Sequence, residues 1–235
     1  MKNSRFHREL AGLRISILIP VRDEAALLQG LLAHLAALNG CHETIIAAYA
    51  PTDQAGNNNT DLSLPAEVKV IQGGPRHQRL NDACALASGE IILILPVDAR
   101  PHPRAWAAIR AAVGRGAVAG CLRQRHDRRS FFYRWLEGCA ALRAEWTGGA
   151  YMDQAPFFLR QAILSQGGFR AVGPYDTSDM ARRLRRRGRF TVVACPVLIS
   201  CRAWVQQGIV RTFLRYQCMR WNRLWRCRCG TSASR

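Results

Sequence analysis

Ser88-Gly89-Glu90-Ile91-Ile92-Leu93-Ile94-Leu95-Pro96-Val97-Asp98-Ala99 is the stretch that decides the fold. Ile91 to Leu95 is apolar at every position, so neither face of this strand meets water. Such a strand belongs in the middle of a sheet covered on both sides. Pro96 closes it, and Asp98 follows just past its carboxyl end.

Upstream, Arg14-Ile-Ser-Ile-Leu-Ile19-Pro20 reads as a buried strand stopped by proline. Leu27, Leu28, Leu31, Leu35 and Leu38 then recur with helical spacing over 25–38. A second strand runs from Glu43 to Tyr49. A polar loop fills Pro51 to Pro65. Val68 to Ile71 is a third strand, closed by Gly73-Gly74-Pro75, and 77–87 fits a helix before Gly89. Downstream, 103–113 fits a helix. Further strands are expected near 117–124, 157–160, 190–194 and 197–201, with helices near 129–145 and 180–187 and a last one over 206–226. This alternation predicts an α/β domain, a mixed, mostly parallel central sheet flanked by helices. In such sheets ligands bind beyond the strands' carboxyl ends, where Pro20 to Glu24 and Pro96 to Arg100 fall.

At 235 residues the chain can bury a substantial core. It reads as a tail over 1–13, a single domain over 14–205 with halves 14–113 and 114–205, and a basic amphipathic helix and tail over 206–235. No apolar run reaches the ~18–20 residues that span a bilayer. The nine cysteines are scattered and form no CxxC pair, as expected of reduced thiols in a cytoplasmic protein. The formal charge is +18, and no acid follows Asp179. That asymmetry implies an anionic partner or a solvated basic face. Arg211, Arg215, Arg223 and Arg226 share the last helix with Trp221 and Trp225. They suit an anionic membrane surface, at the inner face of the membrane, or a phosphorylated acceptor. A helix packed on the domain with snorkelling arginines is the plainer alternative. No base-reading motif accompanies the charge, so no specific nucleic-acid partner is expected.

Several residues can carry chemistry. Asp98 can ligate Mg²⁺ or Mn²⁺ against a diphosphate, or simply bond its own turn. Asp23 and Glu24 can cap the helix after the first strand or meet a ligand beside Arg22. Arg76, His77, Arg79 and Asn81 open a helix after a glycine turn, a place that attracts phosphate. Asp153-Gln154 follows the Gly148-Gly149 turn. Asp176 and Asp179 flank Thr177 and Ser178 ahead of the basic segment Met180 to Gly188. Any of these four can be a helix cap, and either acid can take a proton from an acceptor hydroxyl.

In this order the segments resemble glycosyltransferase family 2, and within it the small bacterial branch called transferase 2, rSAM/selenodomain-associated. Ile17-Leu-Ile-Pro20-Val-Arg-Asp-Glu24 resembles the opening IIPxxNE turn, and Arg76 to Asn81 the arginine–asparagine segment. Ser88 to Ala99 resembles TGEILLFLHADT, Tyr151 to Gln154 resembles YGDQ, and Gly167-Gly168-Phe169 through Gly188 resembles GGF…EDxxLxRRLRRxG. The resemblance covers roughly residues 14 to 225. It implies a GT-A fold and sugar transfer from a nucleotide-sugar donor, metal-dependent and inverting. Pro20, Arg22, Glu24, Arg76, Asn81 and Asp98 would meet the donor, with Asp98 on the divalent metal. Asp153, Gln154, Gly167 and Gly168 would meet the acceptor or sugar, and Asp176 or Asp179 would act as base. Two positions depart from the pattern. Ala48 stands where a nucleobase-binding aspartate is usual, and Thr177 where the catalytic acid is usual. A degenerate protein that binds a nucleotide or partner without turnover is the alternative they imply.

Overall fold

A computed structural model of the chain describes residues 12–21, 24–38, 43–48, 68–208, 211–215 and 218. The chain divides into two compact units, Met1–Ile199 and Ser200–Arg235. The first is built on one eight-stranded sheet. Its strands are β1 (Ile15–Val21), β2 (Glu43–Ala48), β3 (Val68–Gln72), β4 (Ile91–Ile94), β5 (Ala99–Pro101), β6 (Ala117–His126), β7 (Pro156–Leu159) and β8 (Arg189–Ile199). Their order is β3-β2-β1-β4-β7-β6-β8-β5. β3, β2, β1 and β4 pair in parallel, as do β6 and β8. β7 runs antiparallel to both β4 and β6, and β5 antiparallel to β8. The sheet is thus mixed and mostly parallel, with β4 inside it.

The alternation of side chains along the strands explains why both faces need helices. Ile15, Ile17, Ile19, Ile91 and Leu93 join one core with Leu28, Leu31 and Leu35 of α1 (Ala25–Ala37) and Trp106 and Ile109 of α3 (Ala105–Gly114). Leu18, Ile92, Ile94 and Phe158 join a second core on the other face. It takes in Leu80, Ala83 and Cys84 of α2 (Arg76–Leu86) and Met180, Ala181 and Leu184 of α6 (Asp176–Arg185). Each Leu, Ile, Phe or Met side chain buried here contributes about 1.5–3 kcal/mol. Burial pushes the Cys84 thiol up to about 12, which suits a reduced, packed cysteine.

The remaining helices are α4 (Phe131–Thr147), α5 (Arg160–Ser165) and, in the second unit, α7 (Arg202–Gln207).

Four expectations need correction. β1 does not stop at Pro20 but runs on to Val21. Its pairing with β4 ends at Leu18, while pairing with β2 continues through Pro20 and Val21, so the missing N–H of proline disrupts nothing on the β4 side. The expected strands 190–194 and 197–201 are one strand, β8, whose partner on β6 jumps from Val193 to Pro196 between Leu122 and Arg123. That bulge accommodates Pro196 inside the ladder. Helix α6 begins at Asp176, not Met180, so the acidic cluster is the helix's own first turn. Asp176 and Asp179 lie at its positive end and Arg182, Arg183 and Arg185 at its negative end, which the helix dipole favours. The last helix was expected over 206–226. Instead α7 ends at Gln207, before Gly208 at φ +81°, and residues 211–215 are helical again. Arg223 and Arg226 lie outside the described residues. Strand β5 and helix α5 carried no sequence signal of their own.

Candidate active site

Asp98 is presented by the end of β4. The amide of Leu95 donates to Leu18 O at 2.9 Å, holding the strand's last turn against β1. The chain then reverses over Pro96–Ala99, closed by Ala99 N to Pro96 O at 3.0 Å, with Asp98 at the corner. Burial raises the Asp98 pKa. The nearby Asp153 and Glu24 carboxylates add to the rise, while its own backbone amide and Arg100 oppose it. Arg100 is itself engaged, donating to Val97 O at 3.2 Å and Ala99 O at 2.8 Å.

Asp153 sits in a 3-10 turn, Met152–Gln154, between Tyr151 and Ala155. Gln154 locks that turn from below. Its Oε1 accepts from Arg143 Nη2 at 2.8 Å and from Tyr151 N at 3.3 Å, and its Nε2 donates to Ala140 O at 3.2 Å. The Arg143 guanidinium also lies 4.1 Å over the Tyr151 ring. Ala155 leaves the turn at φ +42°, the one non-glycine among the described residues with positive φ. Such strain persists only where the surroundings enforce it. The enforced turn holds the Asp153 carboxylate inward, with Oδ1 buried and lacking a donor. Burial raises its pKa too, against the pull of Arg143 and His126.

Two neighbouring carboxylates, both penalised by burial and one with an orphaned oxygen, are hard-oxygen acceptors of the kind a divalent Mg²⁺ or Mn²⁺ takes. Among the described residues no group of three or more His, Cys, Asp and Glu side chains gathers into a metal cage. Such ions at phosphate sites are commonly held by one or two carboxylates, with waters and substrate oxygens completing the shell. The residues present fit that arrangement.

Arg76 opens α2 after Gly73 and Gly74, which turn at φ +81° and +68°. Its Nε lies 2.9 Å from Asp176 Oδ2, and its Nη2 donates to Asp176 Oδ1 at 3.1 Å. The same Nη2 lies 3.2 Å from Met152 Sδ, beside Asp153. Arg76 therefore connects the acid of α6 to the turn that carries Asp153. Burial raises the Asp176 pKa, and the Arg76 charge and the Thr177 amide, which donates at 2.7 Å, oppose it. Thr177 is buried, and its hydroxyl donates to Ala150 O at 3.3 Å. It faces the protein, whereas Asp176 faces Arg76.

Asn81, Gly167, Gly168 and Asp179 are brought together in a second network. Asn81 Nδ2 donates to Phe169 O at 3.1 Å, and its Oδ1 accepts from Phe169 N at 2.7 Å. A Cβ on Gly168, which sits at φ +79°, would lie 2.5 Å from Asn81 Oδ1. Asp179 Oδ2 pairs with Arg183 Nε at 3.0 Å, and Arg183 donates to Gln166 O at 2.8 Å and Gly168 O at 2.6 Å. These contacts clamp the glycine turn between α2 and α6. Pro20 lies at the end of β1. Glu24 precedes α1 without a side-chain capping bond and reaches the site through its charge on Asp98. Arg22 and Asp23 lie outside the described residues. Ala48 ends β2, in register with Val21 and Gln72.

Sequence reasoning missed Arg143, His126 and Glu137. Glu137 is buried. It takes the His126 amide at 2.7 Å and pairs with Arg125 and Arg134, each at 2.9 Å, fixing the end of β6 to α4. The i,i+3 spacing of Arg134 and Glu137 hinted at this pair. Arg143 gave no signal, because its partner Gln154 lies beyond a glycine turn.

The fold has counterparts among solved structures. The Staphylococcus aureus TarS fragment 1–349 superposes with a TM-score of 0.60 at 13% identity, over 80% of this chain and 60% of that one. The mannosyltransferase PcManGT of Pyrobaculum calidifontis, in complex with GDP-Man and Mn²⁺, gives 0.56 at 21% identity over 83% and 63%. Glucosyl-3-phosphoglycerate synthase of Mycobacterium tuberculosis, in complex with Mn²⁺, UDP and phosphoglyceric acid, gives 0.57 at 15% identity over 82% and 72%. The fold is therefore GT-A-like. The chain spans about 60% of the length of the first two structures. By sequence, no family model and no curated protein matches.

Proposed function

We propose that this protein is a glycosyltransferase. It moves a sugar from a nucleotide-diphosphate donor to an acceptor hydroxyl, with divalent-metal dependence and inversion at the anomeric carbon. The branch its motifs resemble is the rSAM/selenodomain-associated transferase 2 group. The observation that carries the reading is the pair Asp98 and Asp153. These are two half-buried carboxylates at the carboxyl end of the central strands, the charge of Asp153 acting on Asp98 and Asp153 keeping one buried oxygen that no donor satisfies.

Asp98 and Asp153 would hold Mg²⁺ or Mn²⁺, which when bound neutralises charge on the leaving diphosphate. Arg76, partly exposed beside them, would donate to a phosphate oxygen. Asp176 would take the acceptor proton as the acceptor oxygen attacks opposite the leaving group. Its burial makes it a stronger base than a surface aspartate, and Arg76 orients it. Arg143 and Gln154 keep the Asp153 turn in place, and Asp179 with Arg183 keeps α6 in place. The presence of nucleotide-sugars or nucleotides and Mn²⁺ with structural neighbours supports the donor and the ion.

The test is donor turnover with Mn²⁺ and with Mg²⁺. Metal-dependent sugar release is expected, lost by at least ~100-fold in Asp98→Ala, the scale on which a charge-stabilising group acts in catalysis. A non-catalytic nucleotide-binding protein is the second reading. It is favoured by the ion pair that holds Asp176 on Arg76 and by Thr177 at the usual acid position. Tight nucleotide binding in a thermal-shift panel without any turnover would establish it instead.

A further inference from the structure

Helix α4 presents a face that the acid cluster does not use. Phe131, Trp135, Leu142 and Trp146 are spaced at near-whole helical turns, so they fall along one side over about 22 Å. Phe131 is 88% exposed, Trp146 79%, Leu142 53% and Trp135, which leans on the Phe132 ring, 47%. The opposite side is buried through Tyr133, Glu137, Ala140 and Ala144.

Both ends of this apolar stripe are basic. Arg128 and Arg129 are exposed ahead of the Ser130 cap. At the other end Arg185 donates to the Glu145 carbonyl oxygen, and Arg186 and Arg187 follow it exposed. Glu145 itself lies 3.8 Å from Arg123. A second copy is a poor occupant, because association would bring one +18 chain against another. A planar anionic layer answers both features: apolar depth for the rings and negative charge for the flanking guanidinium groups.

We propose that α4 docks the protein on an anionic lipid surface. Phe131, Leu142 and Trp146 enter the boundary between headgroups and acyl chains, and Arg128, Arg129 and Arg185 meet the lipid phosphates. Arg143 and Ala140 of the same helix hold the Asp153 turn from the side away from the docking face, so the helix that docks is also the one that supports the acid cluster. This differs from the membrane role expected for the C-terminal arginines, and it stands whether or not sugar transfer does.

The test is co-sedimentation of the full chain with phosphatidylcholine vesicles containing about 30% phosphatidylglycerol, against vesicles of phosphatidylcholine alone. Binding to the anionic vesicles only is expected, reduced roughly tenfold in Phe131→Ser/Leu142→Ser/Trp146→Ser with the unfolding temperature unchanged. Arg128→Gln/Arg129→Gln should weaken binding about threefold and flatten its salt dependence. If the triple variant loses its unfolding transition, Trp146→Ser alone, expected to weaken binding about threefold, carries the comparison. Wild-type protein that ignores anionic vesicles, or serine variants that bind as wild type does, would overturn the proposal. So would a wild-type dimer that the serine changes convert to monomer while vesicle binding persists.

Discussion

At the residue scale, the cost carried by Asp98 and Asp153 is the property that can be measured before any substrate is known. Both carboxyls titrate above the ordinary aspartate range because burial disfavours the charge. The folded state therefore holds its protons longer than the unfolded chain does. Below the unfolded value, near ~3.9, the two states are protonated alike and nothing is lost. As pH rises from there through the folded value, the unfolded chain ionises first and stability falls. Asp98→Asn and Asp153→Asn remove that loss. At neutral pH without metal, each should raise the unfolding temperature by ~2–4 °C, the shift that about 1 kcal/mol produces in a chain of this size. The gain should vanish near pH 4, as a melting series across pH would show. Mn²⁺ should stabilise the wild type and not the variants. A gain independent of pH would disconnect it from ionisation. Thr177 and Asp176 make a related point. One residue of displacement along a helix start turns a side chain from Arg76 toward Ala150 O, so motif position alone does not identify the base.

At the element scale, one side chain gathers β1, β2, β3 and the turn before β4 at the sheet's amino-terminal edge. Glu43 of β2 accepts from Ser16 Oγ of β1 and from Ser88 N, each at 2.5 Å, and from Gly89 N at 3.3 Å, and pairs with Lys69 of β3 at 2.8 Å. Burial pushes its carboxyl up, but the Lys69 ammonium and the serine hydrogen bonds outweigh this and hold it at about 2. Here the sign is opposite to that at Asp98. The contribution is complete above the unfolded value near ~4.3 and is lost as pH falls toward the folded value. Glu43→Ala should cost about 1–2 kcal/mol at pH 7, by leaving the Ser88 amide and the Ser16 hydroxyl without their acceptor. Urea midpoints at pH 7 and pH 3 check this, with the difference between variant and wild type shrinking at the lower pH. The edge so tied lies opposite the strand ends that carry Pro20 and Asp98, leaving those ends free of that constraint.

At the scale of the whole molecule, 34 Lys and Arg oppose 16 Asp and Glu, and the excess repels itself. Raising salt from about 50 to 300 mM should therefore raise the unfolding temperature by a few degrees, and phosphate should do so more than chloride at equal ionic strength. Scanning calorimetry over a salt series measures it, and a flat response would mean that the arginines are already paired. The parallel sheet with β4 inside it was legible because Ile91 to Leu95 tolerates water on neither side. Asp98 was legible because it follows directly. The first-turn position of Asp176, the single bulged β8 and the clamp of Asn81 on Phe169 were not, since each depends on partners far along the chain. Hydrophobic pattern is a local property of the sequence, and it determined the sheet, the helices on its faces and the aspartate at its edge. Which carboxylates meet, which is paired by Arg76 and which is left without a donor depends on close packing between distant segments, and only the tertiary structure decided that.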